Sequence, residues 1–213
     1  ELVKDSFDSL LSLCQLLKEL SSDYKSDDKG FPKNSTTTIR SGGVFKPGNE
    51  EESRQFVLKW LLSNVKGYVK IGDPYFEEQD LDIIKELMEL DKSMSIEILT
   101  SQEGRVDKDL EKTFIDHWKN ISSQEPPRTV ITVATSRKLG KSAFHDRYIL
   151  TEGSGLRFGT SLKEYGKGKI SEISIMEDNE AYNVERNVID KITSREVLDV
   201  DGDRIRYKTF ELD

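Results

Sequence analysis

One cysteine, two histidines and five prolines in 213 residues set the first limits on this chain. Cys14 has no partner for an intramolecular disulfide. Its setting, Leu11-Ser12-Leu13-Cys14-Gln15-Leu16-Leu17, reads as the apolar face of a helix, where a free thiol packs as a small hydrophobe. A chain without disulfides suits a reducing, cytoplasmic compartment. No run approaches the roughly 18 apolar residues that a membrane span needs, and no signal-peptide core is present. The sequence opens on Glu1 rather than Met, which reads as a piece of a longer parent chain carrying other domains.

The charge is acidic on the whole, −8 with a pI near 5.0, which taken alone argues against a nucleic-acid binder. It is unevenly spread. Between Arg137 and Lys169 stand eight cations against three carboxylates, a net of +5, so the remainder of the chain carries −13. A basic segment of this kind suits an anionic ligand, and a solvated lysine-rich loop has the same composition.

Apolar residues from Leu2 to Leu20 recur at helical spacing and predict an amphipathic helix over 1–20. Residues 21–49 are rich in Ser, Thr, Asp, Lys and Gly and read as a linker or long loop. The main domain is expected over 50–213. Asn49 followed by Glu50, Glu51 and Glu52 marks the start of a helix bearing Phe56, Val57, Trp60 and Leu61. Strands at 68–72, 94–100 and 129–134 alternate with helices at about 79–91 and 106–121, which implies a largely parallel sheet covered by helices on both faces. Strands at 144–151, 156–160 and 170–176, a helix at 181–192 and a terminal hairpin turning at Asp201-Gly202-Asp203 complete the pattern.

Phe144-His145-Asp146-Arg147-Tyr148-Ile149-Leu150-Thr151-Glu152, followed by Gly159-Thr160-Ser161-Leu162, is the stretch with chemical content. On a strand, His145 and Arg147 share one face and can address one ligand together. A four-residue hairpin loop, Glu152 to Gly155, would set residue i opposite 307 minus i, bringing Thr160 opposite Arg147 and Leu162 opposite His145. A histidine can attack phosphorus while a cation and hydroxyl or amide donors hold the non-bridging oxygens. Arg147 can grip two of them with its fork. Asp73 closes a predicted strand at the edge where ligands usually bind, although Asp-Pro also starts turns. His117 has no second ligand at metal spacing and reads as a surface or packing residue. Gly166-Lys167-Gly168-Lys169 reads as a basic turn, Lys163 as a better phosphate contact, and Trp60 and Trp118 as core.

This unit resembles the HKD motif of the phospholipase D superfamily, His-x-Lys-x4-Asp-x6-Gly-Ser-x-Asn. Laid on the chain, it gives His145, Arg147 in place of Lys, Glu152 in place of Asp, Gly159, Thr160 in place of Ser and Leu162 in place of Asn, without insertion. Asp73-Pro74-Tyr75 and Leu99-Thr100-Ser101, with His145-Asp146-Arg147, also resemble a divergent branch. That branch contains the phospholipase D-like C-terminal domains of MIT-domain proteins, which act at membranes, and related bacterial proteins. The resemblance covers about residues 52–192. It implies a mixed α/β sandwich and a metal-independent phosphodiesterase or nuclease without cofactor. His145, Arg147 and Glu152 would be catalytic, and Thr160, Ser161, Lys163 and Asp73 would surround the phosphate. Family enzymes use two motif histidines, so a single copy implies a homodimer or loss of catalysis. The alternative is a non-catalytic module that reads a lipid headgroup or a nucleic-acid end, or an interaction scaffold.

Overall fold

The computed structural model describes residues 42–101, 109–136, 141–162 and 171–212. The chain divides into two units, Glu1–Thr38 and Ile39–Asp213, and all described residues belong to the second. The predicted helix over 1–20 and the first part of the predicted linker lie outside the described residues.

The elements follow the order β1 (Gly43–Phe45), α1 (Glu50–Asn64), β2 (Tyr68–Gly72), a 3-10 turn (Glu78–Leu81), α2 (Asp82–Leu90), β3 (Ser95–Thr100), α3 (Leu110–Ile121) and β4 (Thr129–Ser136). After these come β5 (Arg147–Thr151), β6 (Ser154–Phe158), β7 (Ser171–Met176), α4 (Asp178–Val184), a π-helical turn (Glu185–Ile189), α5 (Asp190–Thr193), β8 (Asp199–Val200) and β9 (Asp203–Glu211). Among the described residues the strands form one nine-stranded sheet, ordered β1-β7-β6-β5-β2-β3-β4-β9-β8. The parallel character expected from the strand-helix alternation is confined to the centre, where β2 pairs with β3 and β3 with β4. All other pairings are antiparallel, because hairpins and returning strands extend the sheet on both sides.

Each face of the sheet has its own core. On one side Val69, Ile71, Ile96, Ile98, Ile131, Val133, Ile149 and Phe158 pack with Val57, Trp60 and Leu61 of α1, Ile84 and Leu87 of α2, and Phe114 and Trp118 of α3. On the other side Leu99, Ala134, Tyr148 and Leu150 pack with Ala181, Ile189 and Ile192 from the C-terminal helical segment. This period-two division along β3, β4 and β5 is what a sheet covered on both faces requires. Lys70 ties the second layer down, with Nζ 2.6 Å from Asp190 and 3.0 Å from Glu185. Among the described residues no helix is long and apolar enough to cross a membrane.

Two expectations change. The stretch read as linker up to residue 49 contains β1, which pairs antiparallel with β7, Gly43 facing Ile173 and Phe45 facing Ser171. The hairpin joining β5 and β6 turns in two residues, Glu152 and Gly153, with Gly153 at φ +69°. Residue i therefore faces 305 minus i, so Arg147 lies opposite Phe158, not Thr160.

Candidate phosphate-binding site

The parallel strands β2, β3 and β4 end at one edge of the sheet, and the antiparallel β5 starts there. From β4, Ser142 bridges to Thr135, whose other neighbour is Arg206 of β9, so Ser142 lies above the end of β3. The chain then passes over the end of β2 to reach β5. Phe144 packs into the second-face core, its ring 3.6 Å from where a Cβ on Gly72 would stand. His145 thus belongs to a crossing segment and not to a strand, contrary to the strand expected from Phe144. Its side chain is 83% exposed.

Alternation nevertheless carries through the crossing. Phe144, Tyr148 and Leu150 share one core, and the Tyr148 hydroxyl donates to Asp146 Oδ2 at 2.9 Å. That hydrogen bond, more than any other influence, holds the Asp146 carboxyl below its usual range. Burial first, and then the same bond, pushes the Tyr148 phenol up to about 12. The other Asp146 oxygen is 3.5 Å from His145 Nδ1. An Nδ1 proton pointing toward this carboxylate leaves Nε2 outward with its lone pair free. The Arg157 guanidinium, 2.6 Å from Glu180, lies 5.7 Å from the Tyr148 ring and backs this arrangement.

Arg147 opens β5 on the face of Ile149. Its guanidinium stands 5.1 Å from the Tyr75 ring centroid, while its Nε is buried with no hydrogen-bond partner among the described residues. Two residues beyond Phe158, the strand partner of Arg147, the Thr160 hydroxyl is buried and unpartnered as well. Buried polar atoms of this kind are uncommon in folded proteins and cost free energy unless something satisfies them. Thr135 Oγ1, also unpartnered, is three strands from Arg147, about 14 Å at the usual strand spacing.

Asp73 does not reach a ligand. It is fully buried just past β2, and Oδ2 accepts from Ser161 Oγ and from the Leu162 amide, both at 2.8 Å, while Oδ1 accepts from the Tyr75 amide at 2.8 Å. It clamps the Gly159-to-Leu162 turn to the end of β2. Ser161, donating to Asp73 and buried, is likewise part of the clamp and not a free phosphate contact. Leu162, expected beside His145, instead turns its side chain into the first-face core.

Glu152 is exposed in the hairpin turn, at the far end of β5 from His145. Four residue steps of strand already separate Arg147 from Thr151 by roughly 13 Å, so Glu152 cannot orient this imidazole. Lys163 and the Gly166-to-Lys169 segment lie outside the described residues. His117 sits on α3, which leaves the edge, seven residues or about 10 Å along the helix. Among the described residues no group of three metal-ligating side chains comes together. A cleft of about 380 Å³ lies on the other face of the sheet, between Thr132, Thr209 and Glu97 and the end of α5 at Asp190, Thr193 and Ser194. The motif residues do not line it.

Sequence reasoning passed over Tyr75, an aromatic ring 49% exposed beside Arg147, and the Asp146–Tyr148 bond. The first had a signal in its position two residues after the strand-ending Asp73. The second had one in the i, i+2 spacing of residues on one strand face.

No family profile matches the sequence, and no curated protein does. Solved structures do. NucT from Helicobacter pylori superposes with a TM-score of 0.50 at 12% identity, over 72% of this chain and 95% of that one. Nuc from Salmonella typhimurium, a phospholipase D family member, gives 0.45 at 14% identity, over 71% of this chain and 95% of its own. TrmBL2, an archaeal chromatin protein, gives 0.44 at 11% identity, and the match covers 90% of this chain but 64% of TrmBL2. At such identities the likeness to NucT is one of fold alone, an α/β fold with a mixed sheet between two layers of helices.

Proposed function

We propose that this edge handles phosphodiesters, as a nuclease-like domain of phospholipase D type. The observation that carries the reading is the pair of buried, unpartnered polar atoms, Arg147 Nε and Thr160 Oγ1, at the edge where His145 stands exposed. Both occupy positions of the motif that would face phosphate. A non-bridging phosphate oxygen satisfies each donor, and the guanidinium supplies the charge.

In the catalytic form, His145 Nε2 attacks phosphorus and the bond to the leaving oxygen breaks, giving a phosphohistidine. That oxygen takes a proton from an acid; water then attacks phosphorus, giving its proton back to that group now acting as base, and the P–N bond's electron pair returns to Nε2. The acid in this scheme is His145 of a second copy. The chain has only one other histidine, His117, and it lies well along α3. The assembly is thus a two-fold homodimer with the two imidazoles at its axis.

Leu162 favours a second reading. It stands at the motif's amide position with its side chain in the first-face core, so it offers no donor to a developing charge, and loss of one such donor costs on the order of 100-fold in rate. The weakened relative keeps Arg147 and Thr160 as a phosphate-reading module without turnover.

One experiment separates these. Wild type, His145→Ala and Arg147→Glu are incubated with labelled DNA and RNA strands and with an aryl phosphodiester, following cleavage and binding together. Cleavage lost in both variants, with binding kept in His145→Ala, supports the enzyme. Binding without cleavage, lost in Arg147→Glu, supports the module. Binding indifferent to Arg147→Glu overturns the phosphate site.

A further inference from the structure

We infer that Tyr75 is a stacking platform for a nucleobase, so that the ligand of this edge is a single-stranded nucleic acid. The inference rests on the phosphate-handling reading above and names its substrate class. Among the large apolar side chains exposed in the described residues, Val44, Tyr75, Tyr182 and Leu198, it is Tyr75 that stands beside the motif. Tyr75 is 49% exposed.

The backbone that carries the ring is also held. Its amide donates to Asp73 Oδ1 at 2.8 Å, and the Phe76 amide donates to the Asp73 carbonyl at 3.1 Å. Pro74, with its fixed φ, accepts from the Ser101 amide at 3.2 Å. A backbone fixed by such a turn loses little freedom when a planar group lies on the ring it carries. Arg147, 5.1 Å away, places the phosphate-gripping cation next to the ring, so one nucleotide can meet both through its phosphate and its base. A backbone-tracking cation combined with an aromatic face is how proteins hold single strands.

The same geometry disfavours the alternatives. In a duplex the base faces are stacked on one another and closed to a protein ring. A choline headgroup would bring a second cation beside the Arg147 guanidinium, where like charges repel.

The test measures binding of the full chain, by fluorescence anisotropy at fixed salt, to a short mixed-sequence DNA strand, an abasic strand of equal length and the corresponding duplex. Anionic vesicles are a fourth probe. Wild type should prefer the strand over its abasic counterpart by roughly tenfold. Tyr75→Ala should erase that preference, and Tyr75→Trp should restore it. Because Tyr75→Trp recovers binding only through a ring, a folding defect cannot mimic this pattern. Equal wild-type affinity for the two strands, or a preference that survives Tyr75→Ala, overturns the platform and leaves the phosphate site standing. Tighter binding to duplex or to vesicles overturns the single-strand assignment alone. Failure to bind any of the four overturns the phosphate-handling reading as well.

Discussion

Both oxygens of the Asp73 carboxylate accept hydrogen bonds from the chain, and what they hold is the turn that carries Thr160. A carboxylate facing a phosphate would repel it; enclosed and satisfied by three donors, it acts instead as an anchor. Asp73→Ala leaves the Tyr75 and Leu162 amides and the Ser161 hydroxyl without their acceptor inside the molecule. The expected loss is roughly 3 kcal/mol of stability, read from the shift in urea midpoint, together with weakened binding of any phosphate ligand. Asp73→Asn keeps acceptor capacity and should fall between. If the alanine variant unfolds at the wild-type midpoint, Asp73 is not the clamp. Spacing picked out Arg147 and Thr160, the two motif residues that hold a buried polar atom without a partner among the described residues, but it did not give their pairing. The exposure of Tyr75 was not legible, because it depends on which elements cover a ring: Phe76, the next residue, is fully buried.

At the scale of elements, the hairpin shows how a reading can be right in kind and wrong in register. Glu152-Gly153-Ser154-Gly155 contains two glycines, and sequence does not say which one turns the chain. Gly153 does, at φ +69°. Gly155 lies within β6, where a Cβ would fall 2.8 Å from Leu150 Cδ2 and 2.9 Å from Met176 Sδ; it is glycine because α4 and the neighbouring strands approach closely. The central strands and helices were legible because each is an amphipathic or apolar segment bounded by its own turn signals, whereas pairing depends on contacts between segments. Gly153→Ala should therefore cost about 1 kcal/mol through its left-handed conformation, lowering the melting temperature without a steric clash, since nothing lies within 4 Å of the added methyl position. A neutral effect would place the turn at another residue.

For the molecule as a whole, the distribution of charge matters more than its sum. The chain carries −8, yet the stretch of sequence containing the motif carries +5, so a polyanion meets repulsion from the remainder and attraction from that stretch. Salt screens both effects. The far side of the sheet has a different liability. Three residues of β1 cover the outer edge of β7, with Gly42 so close that a Cβ there would stand 2.1 Å from the Ile173 carbonyl oxygen. A short strand of this kind works as a shield: it occupies the hydrogen-bonding groups of Ser171 to Ile173 while offering a neighbour too little ladder of its own to extend. A version of the chain starting at residue 50 would bare a β7 edge whose sequence, Ser171-Glu172-Ile173-Ser174-Ile175-Met176, alternates in the manner of a strand seeking a partner. It should associate edge to edge with rising concentration, as light scattering would register, while a version that keeps residues 42–49 does not; equal behaviour of the two would deny β1 this protective part.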